Sequence, residues 1–212
     1  MKASISSRTL FLAQFSMLLA IEAIVCFTPL GSLPIGPIVA TLGMVPVIIT
    51  AVILGTGAGS AMGFFAGLFS FCVWTFTPSS PLIAFVFTPF YSVGSVHGNF
   101  WSLVICFVPR ILVGTVTGLC FALFTRLKWR PVFSYSASGI LGSLVNTFLV
   151  LGGIYVFFGQ SYASVIGKSF DALLGLIGLT ILTNGIPEAI IGGLAAYAVC
   201  YPVKKNINSK FE

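Results

Sequence analysis

Long hydrophobic runs alternate along the chain with shorter segments that are rich in proline, glycine or charge. Each run approaches or exceeds the 17–25 or so residues that a membrane-spanning helix needs. The runs cover residues 9–29, 39–55, 58–76, 100–125, 133–158 and 173–202. A β-barrel would instead show short segments of alternating polarity. The pattern predicts an all-α integral membrane protein, a single bundle of six transmembrane helices over residues 1–212.

The composition supports the membrane assignment and sets its orientation. Hydrophobic residues make up 58% of the chain and charged residues only 7%, against about 25% charged residues in soluble domains. The net charge of +6 does not indicate a nucleic-acid partner, because the cations form no single patch. All but two lie in three groups near predicted helix ends: Lys2 and Arg8; Arg126, Lys128 and Arg130; Lys204, Lys205 and Lys210. Such groups mark the cytoplasmic side, so both termini are predicted to be cytoplasmic.

Three longer connections then fall on the outer side as extracellular capping loops. Residues 28–37 contain three prolines and no charge, and they are either a lid that folds back into the bundle or a plain connector. Residues 77–99 are rich in aromatic side chains, so we expect an ordered cap rather than a disordered loop. His97 and Asn99 are within reach of a ligand there, although a histidine at the wet interface is the alternative. Residues 159–172 are predicted to be a polar loop.

A permanent cation lies inside the fourth run. Arg110 is about ten residues from its start, roughly 15 Å along a helix and near the middle of a hydrocarbon layer about 30 Å thick. An arginine there costs about 2.5–3.5 kcal/mol on insertion scales, so it should face the bundle interior. Its planar fork of donors suits a carboxylate best. That partner is either an acid of the chain, Glu22 or Glu188, or the carboxylate of a ligand.

Other polar residues interrupt the hydrophobic runs. Glu22 lies in the first run and Asn146 in the fifth, while Asn184 and Glu188 lie four residues apart in the sixth and share a helix face. Polar residues within spans indicate functional sites, although an asparagine that only joins two helices by hydrogen bonds explains Asn146 equally well. Together with Arg110, this set predicts an outward-opening pocket for a small, polar, anionic organic molecule.

Nothing in the sequence predicts an enzyme. The chain has one histidine, no HExxH motif, no plausible pair of nucleophile and base, and no GxxxxGK[ST] motif for ATP. Its five cysteines lack the spacing of a metal site and read as small packing residues. We therefore expect no catalytic site, no metal and no cofactor.

Small residues recur every four positions in two of the runs. Gly59, Gly63 and Gly67 give the predicted third helix one flat face, and Ser16 and Ala20 do the same for the first. Patterns of this kind let helices approach each other closely in a membrane. We expect close helix packing at both places.

Two longer stretches resemble a known family. They are residues 31–71, GSLPIGPIVATLGMVPVIITAVILGTGAGSAMGFFAGLFSF, and residues 99–114, NFWSLVICFVPRILVG. Both are similar to the substrate-binding S components of energy-coupling factor (ECF) vitamin transporters, and most of all to the pantothenate-type branch. The resemblance implies a protein of the bacterial plasma membrane that captures a vitamin on the outer side. It also implies two kinds of partner: a transmembrane T component, and two cytoplasmic ATPases that supply the energy.

The resemblance also assigns roles to individual residues. The family's Ala-x-x-x-Ala docking motif corresponds to Ser16-x-x-x-Ala20, where serine replaces the first alanine and is still small. Arg110 would take the carboxylate of the ligand, and Asn146 its amide or hydroxyl groups. The candidate binding residues are therefore Arg110, Asn146, Asn184, Glu188, His97 and Asn99.

Other interpretations stay open from the sequence alone. The same machinery serves other vitamins, such as pyridoxine, folate, riboflavin or a thiamine precursor, and a neutral substrate would leave Arg110 without a ligand anion. A self-contained secondary transporter would use Glu22 and Glu188 as proton or ion carriers, although the chain shows no obvious inverted repeat. A scaffold protein without substrate would explain the glycines but not Arg110.

Overall fold

The computed structural model describes residues 6–28, 33–35, 38–40 and 42–208, with side chains for residues 6–28 and 42–205. Its helices are α1 (Ser7–Phe27), α2 (Val45–Leu54), α3 (Thr56–Phe76), α4 (Phe100–Arg126), α5 (Pro131–Val165), α6 (Phe170–Thr180) and α7 (Ile186–Asn208). A 3₁₀ helix covers Pro81–Val86, and a π-helical turn, Ile181–Gly185, joins α6 to α7. Two small antiparallel hairpins pair β1 (Leu33–Ile35) with β2 (Ile38–Ala40), and β3 (Ser92–Val93) with β4 (Val96–His97).

Among the described residues, five helical stretches are long and apolar enough to cross a membrane, which confirms the prediction of an all-α membrane protein. They are Ser7–Phe27, Thr56–Phe76, Phe100–Arg126, Pro131–Val165 and Phe170–Lys205, the last of which combines α6, the π-helical turn and α7. Contacts between α3 and α4 run in opposite order along the two helices, since Gly59 lies against Gly114 and Gly67 against Phe107, and α5 likewise runs opposite to α4. The tight connections at residue 55 and residues 127–130 therefore share one end of the bundle, the turn end, and the longer connections share the other, the loop end.

The short helix α2 lies at the centre of the bundle. It contacts α1, α3, α4 and α7, and every residue from Pro46 to Val52 is buried. A helix that is apolar all round is stable when other helices surround it. Its 10 residues span roughly 15 Å, about half of the hydrocarbon layer. The predicted span 39–55 is helical only from Val45 to Leu54.

The glycine stripe of α3 packs against α4, as predicted. A side chain at Gly63 would overlap the backbone carbonyl of Arg110, and one at Gly59 would overlap Ala51 of α2 and approach the backbone of Gly114. Close approach of two helices in a membrane needs small residues at the contact. The stripe therefore sets the distance between α3 and the part of α4 that holds Arg110.

The predicted loop over residues 159–172 is wrong for its first half, because α5 continues to Val165. Phe158, Gly159 and Ala163 are buried, so packing extends the helix beyond the polar residues that suggested a loop. Gly167, two residues after the last helical residue, terminates the helix, because its φ of 67° is the left-handed conformation that favours glycine. The Lys168 amide then donates to the Ala163 carbonyl at 2.9 Å.

The loop end holds the two other predicted capping segments. The candidate lid at residues 28–37 lies largely outside the described residues, but its described part includes β1, and the neighbouring strand β2 contacts the π-helical turn. The segment after α3 is well packed, with Ala84 to Thr88 buried. Hydrogen bonds fix it to the bundle, from Ser102 Oγ to the Phe85 carbonyl at 2.7 Å and between the hydroxyls of Thr75 and Thr88 at 2.8 Å.

Candidate ligand-binding cavity

A cavity of ≈ 820 Å³ occupies the space between α2 and the loop end. This volume lies within the range of about 300–1,000 Å³ that is typical of small-molecule sites. Gly43 and Met44, which immediately precede α2, form part of its wall. The amino end of a helix favours negative charge. The polar lining among the described side chains includes Arg110, Asn146, Asn184, Glu188, Ser70, Thr147, Tyr162 and Thr180.

Arg110 is buried in the wall of this cavity, with 8% of its surface exposed. Its Nη1 donates a hydrogen bond of 2.8 Å to the carbonyl oxygen of Ile105 in the same helix. Its Nε has no hydrogen-bond partner among the described residues. The guanidinium is therefore anchored through Nη1, and its Nε donor is not used by the described part of the chain.

A phenylalanine ring lies against the guanidinium, and a tryptophan ring stacks on that phenylalanine. Phe87, which follows the 3₁₀ helix, has its ring centroid 5.6 Å from Cζ of Arg110, within the range of a cation–π contact. Trp74 of α3 stacks on Phe87 with 4.7 Å between the ring centroids. Both aromatic residues line the cavity. The segment between α3 and α4 thus contributes directly to the site.

The opposite side of the cavity comes from α5 and from the π-helical turn with the start of α7. Asn146 of α5 lines it, and its Oδ1 is buried without a hydrogen-bond partner among the described residues. Asn184 in the turn and Glu188 in α7 also line it. A side chain at Gly185 would contact Thr147, so the turn lies directly against α5. The structure thus brings together four of the six predicted binding residues.

Glu22 is completely buried and does not appear in the lining of the cavity. The thiol of Cys26 donates to its Oε1 at 3.2 Å, and Oε2 has no hydrogen-bond partner among the described residues. The carboxyl group interacts with the Arg110 guanidinium electrostatically, but no hydrogen bond joins them. The alternative in which Glu22 occupies the fork of Arg110 is therefore not the arrangement in this structure.

The other two predicted binding residues lie elsewhere at the loop end. His97 is exposed in β4, and neither it nor Asn99 lines the cavity. The Asn99 side chain caps α4, where its Oδ1 accepts from the amide of Trp101 at 2.9 Å. The Asn99 amide in turn donates to Ser102 Oγ at 3.0 Å. This capping box gives Asn99 a role in starting α4.

The predicted docking residues lie on the outside of the bundle. Ser16 and Ala20 are exposed on α1, one helical turn apart. Both side chains are small, so another helix would meet little obstruction there. Their accessibility in the isolated chain is what a docking surface requires.

Several lining residues were not predicted. Phe87 belonged to a segment that the sequence marked only as aromatic, and Trp74, Ser70 and Tyr162 carried no signal beyond their place near the ends of runs. The arrangement suits binding of a polar anion rather than chemistry on it. Among the described residues, no three His, Cys, Asp or Glu side chains are grouped to hold a metal ion.

Comparison with known proteins gives consistent matches over most of the chain. The family model described as "ECF transporter, substrate-specific component" matches residues 10–203. The chain is 35% identical over 176 residues to the pantothenic acid transporter PanT of Lactococcus lactis subsp. cremoris, which covers 82% of each chain. It is 28% identical over 205 residues to the pantothenate transporter PanT of Leuconostoc mesenteroides subsp. mesenteroides, which covers 92% of each chain.

Proposed function

Because the chain belongs to the family of substrate-specific components of ECF transporters, we propose that it is the subunit that binds pantothenate for such a transporter. Family membership, together with the five candidate spans, makes it a multi-pass protein of the plasma membrane that serves transport rather than catalysis. The vitamin follows from two relatives that are named as transporters of pantothenic acid or pantothenate.

The observation that supports this proposal most is the meeting of Arg110 and Asn146 in the wall of one cavity. Both carry a buried polar atom without a hydrogen-bond partner among the described residues, Nε of Arg110 and Oδ1 of Asn146. Buried polar groups in proteins are almost always paired. A ligand that offers an anion and a hydrogen-bond donor would satisfy this cavity better than an apolar molecule.

Pantothenate combines a carboxylate, an amide and hydroxyl groups in one flexible chain. In the proposed complex its carboxylate pairs with Arg110, because a guanidinium forms charge-assisted hydrogen bonds with carboxylates. Asn146 pairs with the amide or the hydroxyl groups. Asn184 and Glu188 receive the remaining hydroxyl groups, since a carboxylate accepts several hydrogen bonds at once. His97 and Asn99 are left out of this proposed set because neither lines the cavity.

The proposed transporter includes a transmembrane T component that docks on Ser16 and Ala20, and two cytoplasmic ATPases that supply the energy. The positive residues of the turn end, such as Arg126 and Arg130, support a cytoplasmic location for this end and for both termini. The cavity then opens on the outer side, beneath the capping segments. In this topology α2, which is second in chain order, is added to the five long spans to give six membrane segments.

Titration of the purified chain in detergent with a panel of water-soluble vitamins tests the proposed substrate. We expect pantothenate alone to give a saturable change in tryptophan emission and a matching calorimetric signal. Trp74 lines the cavity, whereas Trp101 and Trp129 do not. Trp74→Phe should therefore remove most of the emission change and keep the calorimetric binding, and Trp129→Phe should keep both.

Each outcome of the titration has a definite meaning. Saturable binding of a different vitamin would refute the pantothenate assignment and keep the family role. Silence across the panel from folded protein would refute vitamin binding by the isolated chain. Gradient-driven flux through the chain alone in liposomes, without ATPases, would overturn the ECF mechanism in favour of a secondary transporter.

A further inference from the structure

The hydrogen bond between Arg110 and the Ile105 carbonyl forms beside a proline in α4. In a regular α-helix, the carbonyl of Ile105 would accept a hydrogen bond from the amide of the residue four positions on. That residue is Pro109, which lies inside α4 and has no amide hydrogen. The carbonyl of Ile105 is therefore without its usual helical donor, and Arg110 Nη1 donates to it at 2.8 Å.

The hydrogen bond between Arg110 and the Ile105 carbonyl gives a partner to two buried polar groups at once. Ile105, Pro109 and Arg110 are all buried, and a buried carbonyl or guanidinium without a partner is unfavourable. The carbonyl oxygen carries partial negative charge, so it stabilises the cation. Because helical side chains point towards the amino end of their helix, the guanidinium folds back along α4 in the direction of the loop end.

The same contact fixes the orientation of the charge. Nη1 is held by the Ile105 carbonyl, and Cζ lies over the Phe87 ring at 5.6 Å from its centroid, so two contacts restrain the guanidinium. An arginine has several rotatable bonds, and holding it in place before the ligand arrives lowers the entropy lost on binding.

From this geometry we propose that Pro109 is a positioning residue of the anion site. Because Pro109 has no amide hydrogen, the Ile105 carbonyl accepts a hydrogen bond from Arg110 instead of from the helix backbone. The part of this inference that concerns affinity rests on the proposed binding of pantothenate, whereas the part that concerns the guanidinium does not. An alanine at position 109 restores the amide, which then competes with Nη1 for the same carbonyl oxygen.

A double-mutant cycle in the full chain tests the proposal. Pro109→Ala should weaken pantothenate binding about 10-fold, the value of roughly one charge-assisted hydrogen bond, while binding of the neutral alcohol pantothenol changes much less. In an Arg110→Ala background, Pro109→Ala should have little further effect, because coupled residues are not additive. Pro202→Ala, at a proline inside α7, is the matched control and should leave both ligands unaffected.

A ligand-independent measurement separates failure of this inference from failure of the proposed function. The guanidinium Nη resonances of ¹⁵N-labelled arginine, assigned with Arg110→Lys, should show restricted rotation in the parent chain and free rotation in Pro109→Ala. Equal restriction in both chains would overturn the inference even if pantothenate binds. Equal losses for pantothenate and pantothenol, or additive effects in the cycle, would also overturn it. Absence of pantothenate binding by the parent refutes the proposed function alone, and the resonances then decide the role of Pro109.

Discussion

Helices α1 and α4 each have an ionisable residue within the bundle, but the two helices differ in how much of their surface is buried. In α1 only Leu18 and Glu22 are buried, while Phe15 and Leu19 pack partly buried against the core and most other residues are exposed. In α4, nine residues are buried, including Arg110 and the glycines that contact α3. A helix that is enclosed on most sides holds a side chain in a fixed place, whereas a peripheral helix is free to meet another protein. The difference favours a division of tasks in which α4 holds the ligand and the exposed face of α1 serves docking, while Cys26 and Phe27 at the carboxyl end of α1 line the cavity.

The two ionisable residues follow the same division. Arg110 lines the cavity and has an Nε without a hydrogen-bond partner among the described residues, while Glu22 is enclosed by protein and accepts from a thiol. Glu22 is nevertheless close enough to interact electrostatically with Arg110. Changes on the exposed face of α1 should therefore spare binding, provided that Glu22 on its inner face is left in place.

The largest predicted effect is a loss of docking without a loss of ligand binding. Ala20→Trp places a bulky side chain on the exposed face of α1 and should abolish ATP-driven uptake of pantothenate by the reconstituted transporter, while calorimetric binding to the isolated chain stays unchanged. Ala122→Trp makes the same substitution at an exposed position of α4 and should retain uptake. Normal uptake by the Ala20→Trp chain would remove the docking role of α1.

The next effect breaks binding alone. Arg110→Ala should weaken pantothenate binding by about 1.5–3 kcal/mol, the value of hydrogen bonds to a charged group, which is roughly 10- to 150-fold in Kd. Lys168→Ala removes a cation that is exposed and does not line the cavity, and it should bind like the parent. An Arg110→Ala chain that binds as tightly as the parent in calorimetry would contradict the proposed carboxylate contact.

Polar residues with a large solvation cost in a membrane were visible in the sequence, but that cost alone does not place a residue in the cavity, because Glu22 has the same cost and does not line it. Arg110, Asn146, Asn184 and Glu188 interrupt long apolar runs, and they line one cavity in the structure. The stripe of Gly59, Gly63 and Gly67 was equally readable, because spacing by four defines a helix face wherever the helix lies. Such signals depend on local periodicity and on solvation energy, which a sequence contains.

Features that depend on three-dimensional neighbours were missed or misjudged. Polarity suggested a loop from residue 159, but buried contacts of Phe158 and Ala163 extend α5 to Val165. The contact of Phe87 with Arg110 depends on how the segment between α3 and α4 folds over the bundle. His97 and Asn99 lie at the loop end, as the cavity does, but the Asn99 side chain caps the start of α4.

A smaller effect tests whether the α3–α4 contact fixes the place of Arg110. Gly63→Ala would push against the Arg110 backbone, whereas the same substitution at Gly57 in α3 meets open space. We expect Gly63→Ala to destabilise the chain by about 1–3 kcal/mol, as overpacking does, and to weaken pantothenate binding. Gly57→Ala should be neutral or stabilising by about 0.5–1 kcal/mol, because alanine favours a helix. Equal thermal midpoints in detergent for the two variants would show that the contact is not tight.

The smallest effect decides between the two roles of Asn146. If its side chain contacts the ligand, Asn146→Ala should lose about 0.5–1.5 kcal/mol of binding free energy, roughly 2- to 10-fold in Kd, and keep the thermal midpoint of the ligand-free chain. If it joins two helices, the midpoint should fall instead and pantothenate should bind as before. The buried Oδ1 has no hydrogen-bond partner among the described residues, which favours the first outcome. Gln160→Ala, at an exposed position of the same helix, is the control and should change neither quantity.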